Sequence, residues 1–253
     1  MNEILKKIDL IENAVVKFGR IITHTQLKQL LSGYKNTNEK IYKLIKEGWL
    51  VKLKRELYYI SKIGSFGLTS ISNYKIANLI GKESFVSFEG ALRFYGLFDQ
   101  SIRNYRSISK KQYLAKEIEG VKYNYIKVKD RNYFGFDEKN IGNTTAKIAK
   151  KERAILDLLE YQRTINSISL VLEVLQNNYI DFDKSWFLKN IKFYSKITLG
   201  SFGLLLDLIK KDSSDIYSVN THKNSVFVMS LNAKKFNKKW RIYYNPILEE
   251  QVK

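Results

Sequence analysis

Cysteine is missing from the 253-residue chain, and histidine occurs only at His24 and His222. The first absence removes disulfide frameworks, zinc ribbons, iron–sulfur clusters and thiol nucleophiles. The second leaves little foundation for a histidine metal site or a Ser-His-Asp relay. Proline is limited to Pro246, so no proline-rich linker marks a boundary and domains must be sought in changes of pattern. No uncharged run approaches the ~18 residues that a membrane helix needs; the longest are Ile63 to Tyr74 and Ile197 to Leu206. The N-terminus mixes Glu3 with Lys6 and Lys7 and has no signal-peptide apolar core. A soluble protein of the reducing cytoplasm, without membrane contact, is expected.

What the chain has in excess is positive charge: 44 Lys and Arg against 25 Asp and Glu, a net of +19. Such a balance favours a polyanionic partner. Thirty-five of the cations are Lys, alongside 20 Asn, a composition that an AT-rich coding bias also produces, so charge needs the support of a motif. Hydrophobic residues make up 44% of the chain and aromatics 13%, enough to build a sizeable core.

The pattern predicts an α+β protein, an N-terminal winged helix-turn-helix over residues 1–62 followed by a mixed α/β C-terminal domain with several helices over 63–253. Ile4, Leu5, Ile8, Ile11, Val15 and Phe18 have the spacing of an amphipathic helix that stops at Gly19. Thr23 or Thr25 can cap a second helix carrying Leu27, Leu30 and Leu31, and Thr37 a third in which Ile41, Leu44 and Ile45 form the buried stripe. Two β-prone runs, Trp49 to Leu53 and Leu57 to Ile60, are joined by Lys54-Arg55-Glu56 and form the wing. Ser61 to Ser72, rich in Gly and Ser, is the linker. Beyond it, about 73–160 alternates helices (Tyr74 to Ile80, Glu89 to Tyr95) with strands (Phe85 to Ser87, Tyr105 to Ser109, Val121 to Val128, Tyr133 to Phe136). About 161–253 is helical, with closing strands at Val226 to Ser230 and Trp240 to Tyr244. Each side of the linker has its own apolar stripes, and neither is expected to borrow an element from the other.

In a helix-turn-helix the second helix of the pair enters the major groove while its inner stripe packs on the body. With about 100° per residue, Asn36, Glu39, Lys43 and Lys46 fall opposite Ile41, flanked by Lys40 and Tyr42. The candidate DNA contacts are therefore Lys35, Asn36, Thr37, Lys40, Tyr42, Lys43 and Lys46 on this helix and its N-terminus, and Lys52, Lys54 and Arg55 on the wing, where cations meet the backbone or minor groove. Glu39 has the wrong sign for phosphate and pairs instead with Lys43.

Catalytic readings have little to stand on. Neither a phosphate-binding GxxxxGK[ST] loop nor GxGxxG is present. Asp130 with Asp137, Glu138 and Lys139 has the residue types of a metal-dependent nuclease, yet Asp137-Glu138-Lys139 reads more simply as a solvated turn. Glu117/Glu119 and Asp181/Asp183 read as surface pairs. No catalytic residue, metal ligand or cofactor is assigned, and no enzyme is expected.

Four segments together carry a resemblance: the wing; Phe85-Val86-Ser87-Phe88-Glu89-Gly90-Ala91-Leu92-Arg93-Phe94-Tyr95-Gly96-Leu97-Phe98-Asp99-Gln100; Lys147-Ile148-Ala149-Lys150-Lys151-Glu152-Arg153-Ala154-Ile155-Leu156-Asp157-Leu158-Leu159; and Leu199-Gly200-Ser201-Phe202-Gly203-Leu204-Leu205-Leu206 with the distal Lys239-Trp240-Arg241-Ile242-Tyr243-Tyr244-Asn245. In this order they resemble the AbiE-type antitoxins (the AbiEi family) of abortive-infection toxin–antitoxin systems, over nearly the whole chain. Members commonly place glycine in the wing turn, where this chain has Glu56. The resemblance implies a cytoplasmic antitoxin of phage defence. It would repress its own operon by holding double-stranded promoter DNA, and counter a nucleotidyltransferase-like toxin through its C-terminal domain without requiring a stable toxin complex. An ordinary winged-helix regulator with a ligand-sensing or dimerising C-terminal domain is the alternative, and a metal-dependent nuclease a more distant one.

Overall fold

A computed structural model describes residues 2–61, 71–219 and 225–252. The 62/63 boundary, most of the Gly/Ser-rich linker and His222 lie outside the described residues. The chain is α+β, with eleven α-helices and three sheets among the described residues.

The N-terminal part runs α1 (Asn2–Phe18), β1 (Ile21–Thr23), α2 (His24–Leu30), α3 (Thr37–Lys46), β2 (Leu50–Lys54) and β3 (Leu57–Ile60). The strands form an antiparallel sheet in the order β1-β3-β2. Three helices and a β-hairpin follow one another in the order expected from the sequence. Gly19, at φ +78°, ends α1 in a conformation that glycine adopts without strain. Thr23 caps α2 reciprocally: its hydroxyl accepts from Gln26 N at 3.2 Å and its own N–H donates to Gln26 Oε1 at 2.8 Å. The cap of α3 is Asn36, not Thr37; the Asn36 side chain accepts from Glu39 N at 3.2 Å. The expected hairpin is a three-stranded sheet, because Ile21–Thr23, too short to announce itself as a strand, pairs with Leu57–Tyr59. Ile11, Ala14, Ile22, Leu27, Leu31, Ile41, Leu44, Leu50, Tyr58 and Ile60 form the core beneath.

After α4 (Asn73–Ile80) come β4 (Ser84–Val86), α5 (Phe88–Phe94), β5 (Asn104–Ser109), β6 (Lys116–Ile118), β7 (Val121–Lys127), β8 (Phe136–Ile141) and β9 (Thr144–Ala149). They build a mixed sheet in the order β6-β7-β5-β4-β9-β8, parallel at β5/β7 and β4/β9. Two expectations fail here. Tyr133 to Phe136 is not a strand, and Asp137-Glu138-Lys139 is not a turn: the strand starts at Phe136 and carries all three charged residues, paired with Ile148, Lys147 and Ala146. β8 is an edge strand, where charged side chains reach water. The rest is α6 (Lys151–Tyr161), α7 (Ile165–Asn178), α8 (Lys184–Asn190), α9 (Lys196–Leu208), α10 (Ser214–Val219), a small sheet of β10 (Phe227–Val228), β11 (Lys235–Asn237) and β12 (Ile242–Tyr244), and α11 (Ile247–Glu250).

The recognisable motifs pack on one another. In α6 every residue from Glu152 to Leu159 is buried, including Arg153 and Asp157. Asp157 accepts from Arg153 Nε at 2.9 Å and from Ser87 Oγ, just before α5, at 2.7 Å. Gly203 of α9 lies against Trp240, where a β-carbon would come within 2.1 Å of the indole, and Trp240 Nε1 donates to Asp207 Oδ2 at 2.7 Å. These motifs hold the fold. No helix among the described residues is long and apolar enough to cross a membrane.

Contrary to expectation, the two halves share a core. Leu53 and Tyr59 of the wing are buried with Ile76, Ala77 and Ile80 of α4 and with Tyr105, Ile118, Tyr123 and Tyr125 of the large sheet. The alternation of β7 accounts for it: Tyr123 and Tyr125 point the same way and bond to α4, at Asn73 Oδ1 and Ala77 O, each at 2.7 Å.

Candidate nucleic-acid interface

On α3, Ile41 and Leu44 are buried and Ile45 packs against the same core, which turns Tyr42, Lys43 and Lys46 outward. Tyr42 is 65% exposed, and Lys35 and Asn36 at the helix start are exposed too. The side chains are not equally free to meet a ligand. Asn36 is occupied as the cap and also donates to Glu39 Oε2 at 3.3 Å. Glu39 in turn lies 2.9 Å from Lys43 Nζ. Its hydrogen bond and charge hold the Glu39 carboxyl below the usual carboxylate range. Lys43 is therefore partly neutralised by its own helix, whereas Lys46 projects from the last turn as an exposed cation. Lys40 is half-buried, its ammonium 5.1 Å from the Tyr34 ring centre; Thr37 is half-buried as the first helical residue.

The wing splits its three cations between two faces. Lys52 pairs across the hairpin with Tyr58, whose side chain belongs to the N-terminal core, so Lys52 shares the face that carries the helices and is exposed there. A bulge between Lys52 and Lys54 changes the register. The half-buried Lys54 departs from its expected role: its ammonium donates to the carbonyl of Leu79 in α4, and burial, then Lys82, lower its pKa. At the tip Arg55 is 94% exposed. The turn that presents it places Glu56 at φ +59°, the left-handed conformation in which a glycine would be free of strain.

Lys116 was not among the expected residues. Its ammonium donates to the carbonyls of Lys52 at 2.6 Å and Leu53 at 2.8 Å, fixing the hairpin to β6. No local pattern signals it, since 64 residues separate Lys116 from Lys52.

Elsewhere the geometry is structural. Asp130 lies 3.8 Å from Lys110, and Asp137 lies 3.4 Å from Lys139 and 3.7 Å from Lys150. No group of three or more His, Asp or Glu side chains able to hold a metal ion occurs among the described residues. Asp183 caps α8, accepting from Trp186 N at 3.0 Å, and His24 faces the Tyr58 hydroxyl at 3.4 Å. An open cleft of about 870 Å³ lies between α7 and the segment after α5, lined by Glu89, Asp99 and Glu173 among other polar residues. An apolar cavity of about 210 Å³ is walled by Phe182, Phe187, Phe202 and Ile216.

No protein-family model matches the chain, and no curated protein does. Among solved structures, the chain is similar to the crystal structure of the RV2827C protein from Mycobacterium tuberculosis, with a TM-score of 0.66 over 96% of this chain and 92% of that one. The two are 10% identical, so the likeness is one of fold.

Proposed function

We propose that the protein is a cytoplasmic, DNA-binding antitoxin that represses its own toxin–antitoxin operon. In this reading the winged helix holds double-stranded promoter DNA, and the C-terminal domain counters a nucleotidyltransferase-like toxin without catalysing a reaction. The observation that supports DNA binding is α3, whose apolar stripe is spent on the core while Lys35, Tyr42, Lys43 and Lys46 stay at the surface, with Lys52 and Arg55 exposed on the adjoining wing. The antitoxin half rests on the resemblance of the four ordered segments. The apolar cavity walled by Phe182 and Phe202 favours one competing reading, a regulator that senses a small apolar ligand.

The pairing on α3 ranks its lysines. Lys46→Ala should weaken duplex binding several-fold and reduce the dependence of log affinity on log salt by about one phosphate contact, while Lys43→Ala, already shared with Glu39, should do less. Fluorescence anisotropy at several salt concentrations measures both; unchanged affinity and slope in Lys46→Ala would remove α3 from the groove. Co-expression with a neighbouring nucleotidyltransferase-like reading frame tests the other half, since failure to rescue growth would leave only a DNA-binding protein.

A further inference from the structure

We propose that the apolar cavity beside α10 binds a small aromatic amine, its ring seated among phenylalanines and its ammonium held at the mouth by Asp212 and Asp215. The inference concerns the C-terminal domain alone and does not depend on DNA binding; it gives the competing, ligand-sensing reading a ligand class.

Four elements leave the cavity between them. Phe182 follows the single turn Tyr179–Asp181 after α7, Phe187 and Leu188 come from α8, Phe202 and Leu206 from α9, and Ile216 from α10. All of these but Leu188 are buried. The rings hold one another in place: Phe187 lies 5.8 Å from Phe182 and 4.6 Å from Phe202, centre to centre. Protein interiors are close-packed, and a space of this size within one is uncommon. Walls of this kind offer water few hydrogen-bond partners, whereas an apolar cavity of about 150 Å³ suffices to take up benzene. The volume of about 210 Å³ here accommodates a phenyl ring with a short side arm.

The mouth is charged, and the charge is uneven. Its rim includes the exposed Lys184, Asp212 and Asp215, two carboxylates against one ammonium. Lys184 Nζ stands 3.8 Å from Asp212 Oδ2 and 3.5 Å from Asp215 Oδ2, too far to engage either in a close hydrogen bond. The neighbouring lysines are directed elsewhere: Lys239 approaches Asp207 at 2.8 Å, and Lys211 lies over the Tyr179 ring, 5.5 Å from its centre. Asp212 is set in place by Ser214, whose backbone N–H donates to Oδ1 at 2.9 Å and holds the carboxyl below the usual carboxylate range. In a chain with 44 cations and 25 carboxylates, a local excess of carboxylate runs against the composition. An ammonium at the mouth would meet two opposite charges, and an anionic head group two like ones. Both aspartates are exposed, so the head group chooses between ligands by several-fold while the buried ring supplies most of the affinity.

The test uses the full chain, without DNA, and three probes that share a phenyl ring: 2-phenylethylamine, 2-phenylethanol and 3-phenylpropionate, titrated by calorimetry or ligand-observed NMR. The amine should saturate one site, the alcohol should bind several-fold more weakly, and the acid more weakly still. Asp215→Asn should remove the advantage of the amine and leave the alcohol unchanged. Leu188→Trp fills the half-buried wall with an indole and should abolish binding of all three. If no probe saturates, the cavity is not a ligand site. If amine and alcohol bind equally, or Asp215→Asn preserves the difference between them, the aspartates do not select the ligand and the amine class is wrong. Amine binding that survives Leu188→Trp, in a chain with the wild-type unfolding midpoint, puts the ligand elsewhere; should Leu188→Trp fail to fold, Asp215→Asn decides alone. None of these readouts involves duplex binding, so failure here leaves the winged-helix reading standing, and failure of Lys46→Ala to weaken DNA binding leaves this one.

Discussion

Two helices of this chain carry an i, i+4 pair of opposite charges at the same distance, in opposite settings. On α3, Glu39 and Lys43 approach to 2.9 Å with more than half of each side chain in water. On α6, Arg153 and Asp157 also approach to 2.9 Å, with 1% and 0% exposed. The first pair is screened by solvent and does little beyond trimming the net charge of its helix. The second is sealed, and the surroundings must supply what water would have: Ser87 Oγ donates to Asp157 at 2.7 Å and the Tyr194 hydroxyl at 3.4 Å, while the guanidinium lies over the Phe134, Tyr194 and Phe85 rings. Burial pushes the Asp157 carboxyl up, against the opposing pull of Arg153 and those hydroxyls. One sequence spacing therefore lies at the surface in one place and builds the core in the other, and burial decides which.

The sharpest break in that comparison is Asp157→Ala. It leaves Arg153 charged and unmatched in the core and should cost about 3–5 kcal/mol in urea unfolding. Replacing both partners, Arg153→Met with Asp157→Leu, should recover most of the loss, because the desolvation cost then disappears with the charges. A loss for Asp157→Ala no larger than that of Lys43→Ala would show that the buried pair is not what ties Ser87 to α6.

The same contrast explains what the sequence did and did not disclose. α3 is legible because its periodicity has one buried and one wet face; only its cap differs from expectation, Asn36 taking the place of the adjacent Thr37, which has similar capping chemistry. α9 lies in the stretch that the sequence marks as helical. The roles of Arg153, Asp157 and Asp207 are not legible, because each depends on a partner more than 25 residues away in Ser87, Tyr194, Lys239 or Trp240. β8 was lost for the opposite reason: at a sheet edge, strand geometry coexists with Asp137-Glu138-Lys139, which mimic a loop. The junction was hidden too. Leu53 and Tyr59 have the pattern of a hairpin with one buried face, and only the assembled fold reveals that the second face is covered as well.

A middle-sized effect tests that covered face. Leu53 is fully buried between the wing and α4, so Leu53→Ala should destabilise by about 2–4 kcal/mol. The exposed α3 substitutions should leave the midpoint of unfolding nearly unchanged. A chain starting near residue 71 would expose the surface that Leu53 and Tyr59 cover on Ile76, Ile80 and Tyr123, and should be less stable than the intact protein. If Leu53→Ala unfolds at the wild-type urea concentration, the two halves are separable in the way their sequences suggest.

The smallest effect lies at the wing tip, where strain and charge meet in one residue. Glu56 is held at φ +59°, a conformation that costs an L-residue roughly 1–2 kcal/mol relative to a right-handed one. Its side chain is 69% exposed, its nearest ionic neighbour is Arg55 at 4.0 Å, and its carbonyl accepts from His24 N at 3.0 Å. Glu56→Gly removes the strain and keeps that backbone hydrogen bond, but it loosens the unfolded chain by roughly 0.5–1 kcal/mol. The balance is a gain of up to about 1.5 kcal/mol. Glu56→Gln keeps the strained backbone and removes only the charge, so its stability should match the wild type. Both variants delete a negative charge beside Arg55, where the wing would meet phosphate, and both should bind duplex DNA more tightly by a similar factor. A stabilisation shared by Glu56→Gln would assign the cost to charge, and a destabilising Glu56→Gly would mean that the turn holds its left-handed residue without strain.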